Sequence, residues 1–577
     1  MKKRHVALLS KILRPESPLF IVAFFTAAII CTLTAVIIWS TFQEGLPEFS
    51  AKFTLANYEE VLLYPLTPMA AKNTIIVGLG TVLVACFFSL PLGWLIHRTN
   101  IPLKELFLTL IFLHVLLPGF LRTMGWIMLL SPEIGLINQM LRVIIPVERG
   151  PLSLYNIPFI ALLQGVSLTP TLFFMVAGAF VAIDPSIEES AEVCGASRLQ
   201  NLRAVALPLV MPALAAGAIY TFMTAISMYE VAALLGMPNN IHVFSTLMYS
   251  AIHPEVGLPS YGVAGVYGML VLVPTVVALR YYQKMLKLSH HYATVTGKGY
   301  RPKLTDLGRW RWIGAGFVIL YYLIDLVLPF LSVLWTSFSP RIQLPSRAAL
   351  KTLNFDGYLS AIRMLGDGGV MLNTIQLVFF VAIICVSASL IISWFVLRTK
   401  LPGRYVLDTI SMIPHAIPGI AFAFSVAYVS LLFVRQIPFL YGSLAAIILA
   451  DSIRRMPFAT RTISGSLIQI HKELEEAVEI SGGSRIVALR RVIVPLITPA
   501  LLYTFVWTAL HAYREVTIAL FLQSPGNMVM ATAIWQRWQS GETSAAAALG
   551  VIMIVSMGII VLSILRVFPQ VFGGRRA

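Results

Sequence analysis

Twelve stretches of this chain are each apolar over about 20 residues, the length of α-helix that crosses the hydrocarbon core of a bilayer. They fall near 18–39, 71–96, 105–130, 157–182, 206–232, 261–282, 312–337, 370–397, 405–433, 440–464, 494–520 and 546–566. Lipid offers no hydrogen-bond partner, so a spanning segment must satisfy its backbone internally, and runs this long and continuous do so as helices. A composition of 58% hydrophobic and 12% charged residues, with a mean hydropathy of +0.82, excludes a soluble globular fold. The sequence therefore predicts an all-α, polytopic membrane protein of about 12 transmembrane helices.

A net charge of +16 suggests nucleic acid at first sight, but the basic residues are segregated between the apolar runs. Lys2, Lys3, Arg4, Lys11 and Arg14 precede the first run, and Lys284, Lys287, Lys298, Arg301, Lys303, Arg309 and Arg311 crowd a middle segment. Arg566, Arg575 and Arg576 follow the last run. This is the positive-inside pattern of a multi-pass protein, and no nucleic-acid partner is expected. With twelve spans, all three segments and both termini lie in the cytoplasm. The first run is too long for a signal peptide and lacks a small-residue cleavage site before Thr41, so it reads as an uncleaved span. Cys31, Cys86, Cys194 and Cys385 form neither a disulfide framework nor a metal cluster.

Two polar loops in this apolar chain share one design. Glu188–Leu214 and Glu475–Leu501 agree at an offset of 287 in Glu188/Glu475, Glu189/Glu476, Glu192/Glu479, Gly195/Gly482, Ser197/Ser484, Arg198/Arg485, Arg203/Arg490, Pro208/Pro495 and Pro212/Pro499. Each reads as a short helix, a glycine corner and a second helix entering the membrane. Ser186 with Glu189 and Ser197 with Gln200 make capping boxes in the first copy, and the second copy lacks both. The glycines suit the left-handed position that ends a helix. At an offset of 300 the match extends to Tyr58/Tyr358, Asn73-Thr74-Ile75/Asn373-Thr374-Ile375, Trp94/Trp394, Arg98-Thr99/Arg398-Thr399, Pro102/Pro402 and Pro118-Gly119/Pro418-Gly419. The change of offset leaves 13 extra residues in the first copy, assigned to an external loop near 131–156. Six spans per copy make the repeats parallel, related by an axis along the membrane normal, with a pathway expected between them.

The loops resemble the EAA loop of ABC importer permeases, E-A-A-x-x-x-G followed by a distal L-P. The motif stands as Glu189-Ser190-Ala191 with Gly195 and Leu207-Pro208, and as Glu476-Ala477-Val478 with Gly482 and Val494-Pro495. The departures are Ser190, Val478 and Val494, all at packing positions. As a whole the chain resembles the fused permeases of type I bacterial ABC importers, as in ferric-iron, thiamine and 2-aminoethylphosphonate systems. The segment Tyr292–Pro302 and the triplet Tyr513–Glu515 look most like the iron group.

The resemblance implies a permease half at 1–282 with its coupling loop at about 184–205, a basic cytoplasmic linker at 283–311, and a second half at 312–577 with its loop at about 471–492. It implies coupling residues Glu188, Glu189, Ala191, Gly195, Ser197, Arg198, Pro208, Glu475, Glu476, Ala477, Gly482, Ser484, Arg485 and Pro495. Partners would be two copies of a cytoplasmic ATPase, a periplasmic solute-binding protein and the lipid of a bacterial inner membrane. Ferric iron is the expected solute, with 2-aminoethylphosphonate, thiamine or a polyamine as alternatives and an ion-driven secondary transporter as a rival of another class.

Nothing in the sequence supplies its own chemistry. No G-x-x-x-x-G-K-[ST] occurs, nor a nucleophile elbow, an H-E-x-x-H or a zinc spacing. The chain is expected to be no enzyme and to hold no cofactor or firmly assigned metal, with ATP and Mg on partner subunits. Charged groups inside spans are costly and mark candidate pathway positions. Tyr229 with Glu230 and Tyr513 with Glu515 lie toward the external end of the fifth span of each copy, where two acids would suit a cationic solute. A structural alternative is a helix-end carboxylate, with Glu515 balanced by Arg514. His114 and His415 are read as satisfying backbone near Pro118, Pro414 and Pro418, and Asp325 and Asp451 as pairing with neighbouring spans. Arg454 and Arg455 are expected to reach the cytoplasmic interface, and Pro170 and Pro457 to kink the fourth spans.

Overall fold

The computed structural model describes residues 17–114, 117–145, 147–291, 304–367, 369–399 and 403–567. The amino-terminal basic cluster, Arg575 and Arg576, and the whole of Tyr292–Pro302 lie outside them. Among the described residues the chain is helical, with β-structure confined to the isolated bridges Gln43–Phe53 and Thr99–Thr305.

Nine described helices are long and apolar enough to cross a bilayer, or ten if the bent pair Arg404–His415 and Gly419–Leu432 forms one span. The remaining expected stretches are helical too, but interrupted in two ways. The stretches 105–130 and 405–433 are broken in the middle, into Lys104–Leu113 and Gly119–Leu130 and into Arg404–Ala416 and Gly419–Leu432. Both breaks fall at the duplicated Pro-Gly, where proline removes a donor and disfavours helix in the residue before it. The second pair turns through 106°. The stretch 440–464 is a single helix, Leu444–Ile468, but Asp451, Arg454, Arg455 and Arg461 interrupt its apolar face. Pro170 and Pro457 lie inside continuous helices, Ile157–Ala182 and Leu444–Ile468.

The chain forms two compact units, and neither is a contiguous half of the sequence. One comprises Met1–Leu55, Arg363–Ala533 and Val555–Ala577, and the other Ala56–Ile362 and Ile534–Ile554. The expected boundary between 282 and 312 therefore does not separate them. The first helix, Ser17–Ser40, belongs with the second repeat. Phe20 meets Phe395 edge to face at 6.0 Å, and Phe49 meets Phe433 at 5.3 Å.

Conversely, the helix that follows the linker belongs with the first repeat, and its proline explains part of the docking. Pro329 has no N–H, and the turn before it, Leu323–Val327, widens to a π-helix in which Leu328 N–H reaches back to Leu323 O. The carbonyls of Ile324 and Asp325 lose their intrahelical donors. Trp126 Nε1 donates to the first at 3.1 Å and Arg122 Nε to the second at 2.8 Å, both from the helix Gly119–Leu130. Tyr322 donates its hydroxyl to Phe107 O at 2.6 Å, and Ser332 to Gly125 O at 2.8 Å.

The duplicated Asn-Thr has one job in both units. Asn73 Nδ2 donates to His242 O, and Asn373 Nδ2 to Met528 O. Thr74 Oγ1 accepts from Phe244 N and Thr374 Oγ1 from Met530 N. Each pair thus pins the start of the short helix Phe244–Ile252 or Met530–Gln539 against the second span.

Candidate functional site: the two duplicated loops

In the first loop the helix Pro185–Val193 ends at Gly195, with φ +85°, and in the second Glu473–Ile480 ends at Gly482, with φ +83°. Each corner is a Schellman turn. Ala196 N donates to Ala191 O at 3.0 Å, and Gly483 N to Val478 O at 2.8 Å, satisfying carbonyls the helix end would orphan. The chain restarts as Arg198–Asn201 and Arg485–Ala488, widens into π-turns at Leu202–Ala206 and Leu489–Ile493, and continues into the fifth spans Leu207–Ser227 and Val494–Tyr513. Each π-turn immediately precedes the motif proline, Pro208 or Pro495, and relieves the clash a proline ring makes with the preceding turn.

The capping differs in part from expectation. Ser197 and Gln200 form their box, with Gln200 Oε1 accepting from Ser197 N at 2.8 Å. At the first helix the cap is Asp184 rather than Ser186: its Oδ1 accepts from Ser186 N at 2.9 Å, and Pro185 takes the first helical position. That bond holds the Asp184 carboxyl below its ordinary range. The second copy has no box, but Ser484 Oγ still accepts from Val487 N at 3.4 Å.

The loop glutamates divide into two kinds. Glu188 is ion-paired with Arg98 Nη2, and Glu475 Oε1 lies 3.0 Å from Arg398 Nε. These carboxylates are only 15% and 13% exposed and face inward to the end of the second span. Burial raises the Glu475 carboxyl, and the Arg398 guanidinium opposes that shift without cancelling it. Arg398 Nη2 also caps the carbonyls of Leu467 and Ile470 at 2.7 and 2.8 Å. Glu189 is half-buried, whereas Glu476 is exposed. Ala477, Ser197 and both motif prolines are exposed as well, and Ala191 and Ser484 are half-buried. Arg485 pairs with Glu479 at 2.8 Å. The last apolar residue of each loop helix, Val193 and Ile480, is 88% and 87% exposed. They occupy matching positions in the repeat, so each loop presents an apolar tip beside its acids.

Arg98 and Arg398 were legible as repeat matches but carried no role in the sequence. The first also anchors the linker. Thr305 N donates to Arg98 O at 2.9 Å, Leu307 N to Asn100 Oδ1 at 3.0 Å, and Asn100 Nδ2 to Asp306 Oδ1 at 2.5 Å.

The candidate pathway residues sit at helix breaks. Tyr229 and Glu230 follow the end of Leu207–Ser227 and open the short helix Glu230–Leu235; Tyr229 is buried and packs on Tyr249 and Trp535 at 4.8 and 6.1 Å. Tyr513 ends Val494–Tyr513 and bonds Ser556 at 2.7 Å. Glu515 is held by two guanidinium groups from another helix: Arg454 Nη1 and Arg455 Nη2 reach its Oε2 at 3.0 and 3.1 Å, and Oε1 accepts from Ile518 N at 3.1 Å. Arg455 also pairs with Asp451 at 2.7 Å. Arg455 is thus buried between two carboxylates, and Arg454, 35% exposed, pairs with one of them. The Asp325 pairing does hold: His114 Nδ1 lies 2.6 Å and Arg122 Nε 3.1 Å from its carboxylate.

A doubled helix–glycine–helix loop on a duplicated, all-helical membrane body is the architecture of a transport permease component. The sequence profile described as binding-protein-dependent transport system inner membrane component matches residues 89–287 and again 397–571, and the chain belongs to that family. Membership makes it a multi-pass inner-membrane permease component of an ABC importer, working with a solute-binding protein and an ATPase. It is 27% identical over 482 residues to the ferric transport system permease protein FbpB of Actinobacillus pleuropneumoniae, covering 82% of this chain and 67% of that protein. It is 26% identical over 440 residues to a putative ferric transport system permease protein FbpB 1 of Haemophilus influenzae, covering 75% and 67%. A putative 2-aminoethylphosphonate transport system permease protein PhnU of Salmonella typhi is 27% identical over 257 residues, 41% of this chain and 88% of that protein.

Proposed function

We propose that this chain forms the translocation pathway for ferric iron, handed over by a periplasmic binding protein and driven by two copies of a cytoplasmic ATPase, one at each loop. The observation that carries the coupling reading is the pair of Schellman corners with the same exposed apolar tip, Val193 and Ile480, beside the same acids. An apolar knob rimmed by charge suits a groove on a partner protein. Glu189, Ala191, Ser197, Arg198 and Pro208, with Glu476, Ala477, Ser484, Arg485 and Pro495, would form or shape that contact, with both termini on the same cytoplasmic side.

Iron is favoured over 2-aminoethylphosphonate because the ferric relatives align along 82% and 75% of the chain, against 41% for the phosphonate relative. Tyr229, Glu230, Tyr513 and Glu515 remain our candidates for the pathway, since helix breaks in transporters expose backbone and polar groups to a solute. The two guanidinium groups on Glu515 neutralise its charge, so its part there would be to hold the break in shape.

Reconstitution of the full chain with its ATPase and binding protein in proteoliposomes tests this reading. Uptake of radioactive iron should require ATP and the binding protein. Uptake of 2-aminoethylphosphonate instead would replace the solute, and transport driven by an ion gradient without the ATPase would overturn the coupling itself.

A further inference from the structure

We propose that Arg98 and Arg398 are positioning residues of the power stroke, each tying a cytoplasmic loop to the inner end of the second span so that the loop and three spans move as one body. This rests on the coupling reading above. Each arginine is the last residue of its helix, Thr67–Arg98 or Val370–Arg398, and each is almost wholly buried. Each meets the glutamate at the same repeat position of its loop, Glu188 or Glu475. Arginine and glutamate are 90 residues apart in one copy and 77 in the other, so the contact recurs although the chain between them differs by 13 residues. What the two repeats share is the meeting of the two charges.

The chain itself joins the loop to the fourth and fifth spans only, Ile157–Ala182 with Leu207–Ser227 and Leu444–Ile468 with Val494–Tyr513. The second span packs on both of these, and the ion pair ties its end directly to the loop. A buried guanidinium–carboxylate pair is costly to separate and little screened, so it holds its two elements together in a way that an exposed, solvated pair does not. The inward glutamates, Glu188 and Glu475, are thereby separated in task from their neighbours Glu189 and Glu476. In the second unit Arg398 also grips Leu467 O and Ile470 O, where the fourth span ends. One side chain there binds three segments.

The test uses the full complex in proteoliposomes and reads ATP hydrolysed per solute imported. Arg98→Gln with Arg398→Gln should leave membrane insertion and ATPase association unchanged and raise the ATP spent per solute about tenfold, within the usual range of coupling between sites. Arg98→Lys with Arg398→Lys should recover most of the loss by restoring the charge. A wild-type ratio in the glutamine variant would overturn the inference. So would loss of uptake that follows loss of ATPase association, since the arginines would then act at the partner interface or in folding. If the wild-type chain imports without its ATPase, the coupling reading fails first, which the same vesicles distinguish.

Discussion

Replacing the corner glycine gives a graded test of how the loops work. Gly195 and Gly482 lie at φ +85° and +83°, and a Cβ built on either finds nothing within 4 Å. A substitution therefore meets no steric neighbour, and its whole effect is the backbone energy of the left-handed region. For an ordinary residue that energy is about 1–2 kcal/mol, whereas asparagine tolerates the region better. A change of this size shifts the population of a closed corner by a factor of about 5–30. A partner that binds the closed corner loses apparent affinity in proportion to the population lost. Gly482→Asn, Gly482→Ala and Gly482→Val should thus weaken ATPase binding in that order, measured with the full chain in lipid nanodiscs. Hydrogen exchange at the Gly483 amide, which closes the turn onto Val478 O, should accelerate in the same order. Equal affinity and exchange across the series would refute the reasoning, as would asparagine proving as harmful as valine.

The broken third spans should respond unequally to the same change. A Cβ on Gly419 would come within 2.6 Å of the Arg454 guanidinium, whereas one on Gly119 finds only Ser167 Oγ at 3.6 Å. Gly419→Ala should lower the thermal unfolding temperature of the purified chain by disturbing the Arg454–Glu515 pair, and Gly119→Ala should leave it unchanged. Asp325→Ala strands the buried Arg122 guanidinium, a change that costs about 3–5 kcal/mol, and Asp325→Asn should cost less by keeping an acceptor in place. Comparing the two in thermal unfolding would refute a role for the charge if both match wild type.

Much of the architecture was legible because it is written twice. The offsets of 300 and 287 locate the loops, their glycine corners and the paired prolines before any coordinates are consulted. The breaks in the third spans are lost in a hydropathy average, although Pro118-Gly119 and Pro418-Gly419 marked both of them. The Asp184 cap was also available, since aspartate before Pro185 is a helix-start signature that competes with Ser186. The ion pairs were not legible. Glu515 is satisfied by Arg454 and Arg455, some 60 residues away in sequence, and Glu188 by Arg98, 90 residues away. No local periodicity encodes such meetings. The exchange of first helices was hidden for the same reason, because Ser17–Ser40 and Arg311–Phe338 look like ordinary apolar runs.

That exchange changes what counts as a gene fragment here. An amino-terminal piece ending before the linker would synthesise most of one compact unit but leave Arg122 and Trp126 without the carbonyls of Asp325 and Ile324. The ribosome must pass the midpoint before the earlier unit receives the helix after the linker, and come close to the end before it receives Ile534–Ile554. Splitting this polypeptide into two genes would yield products that mature only by trading helices with each other.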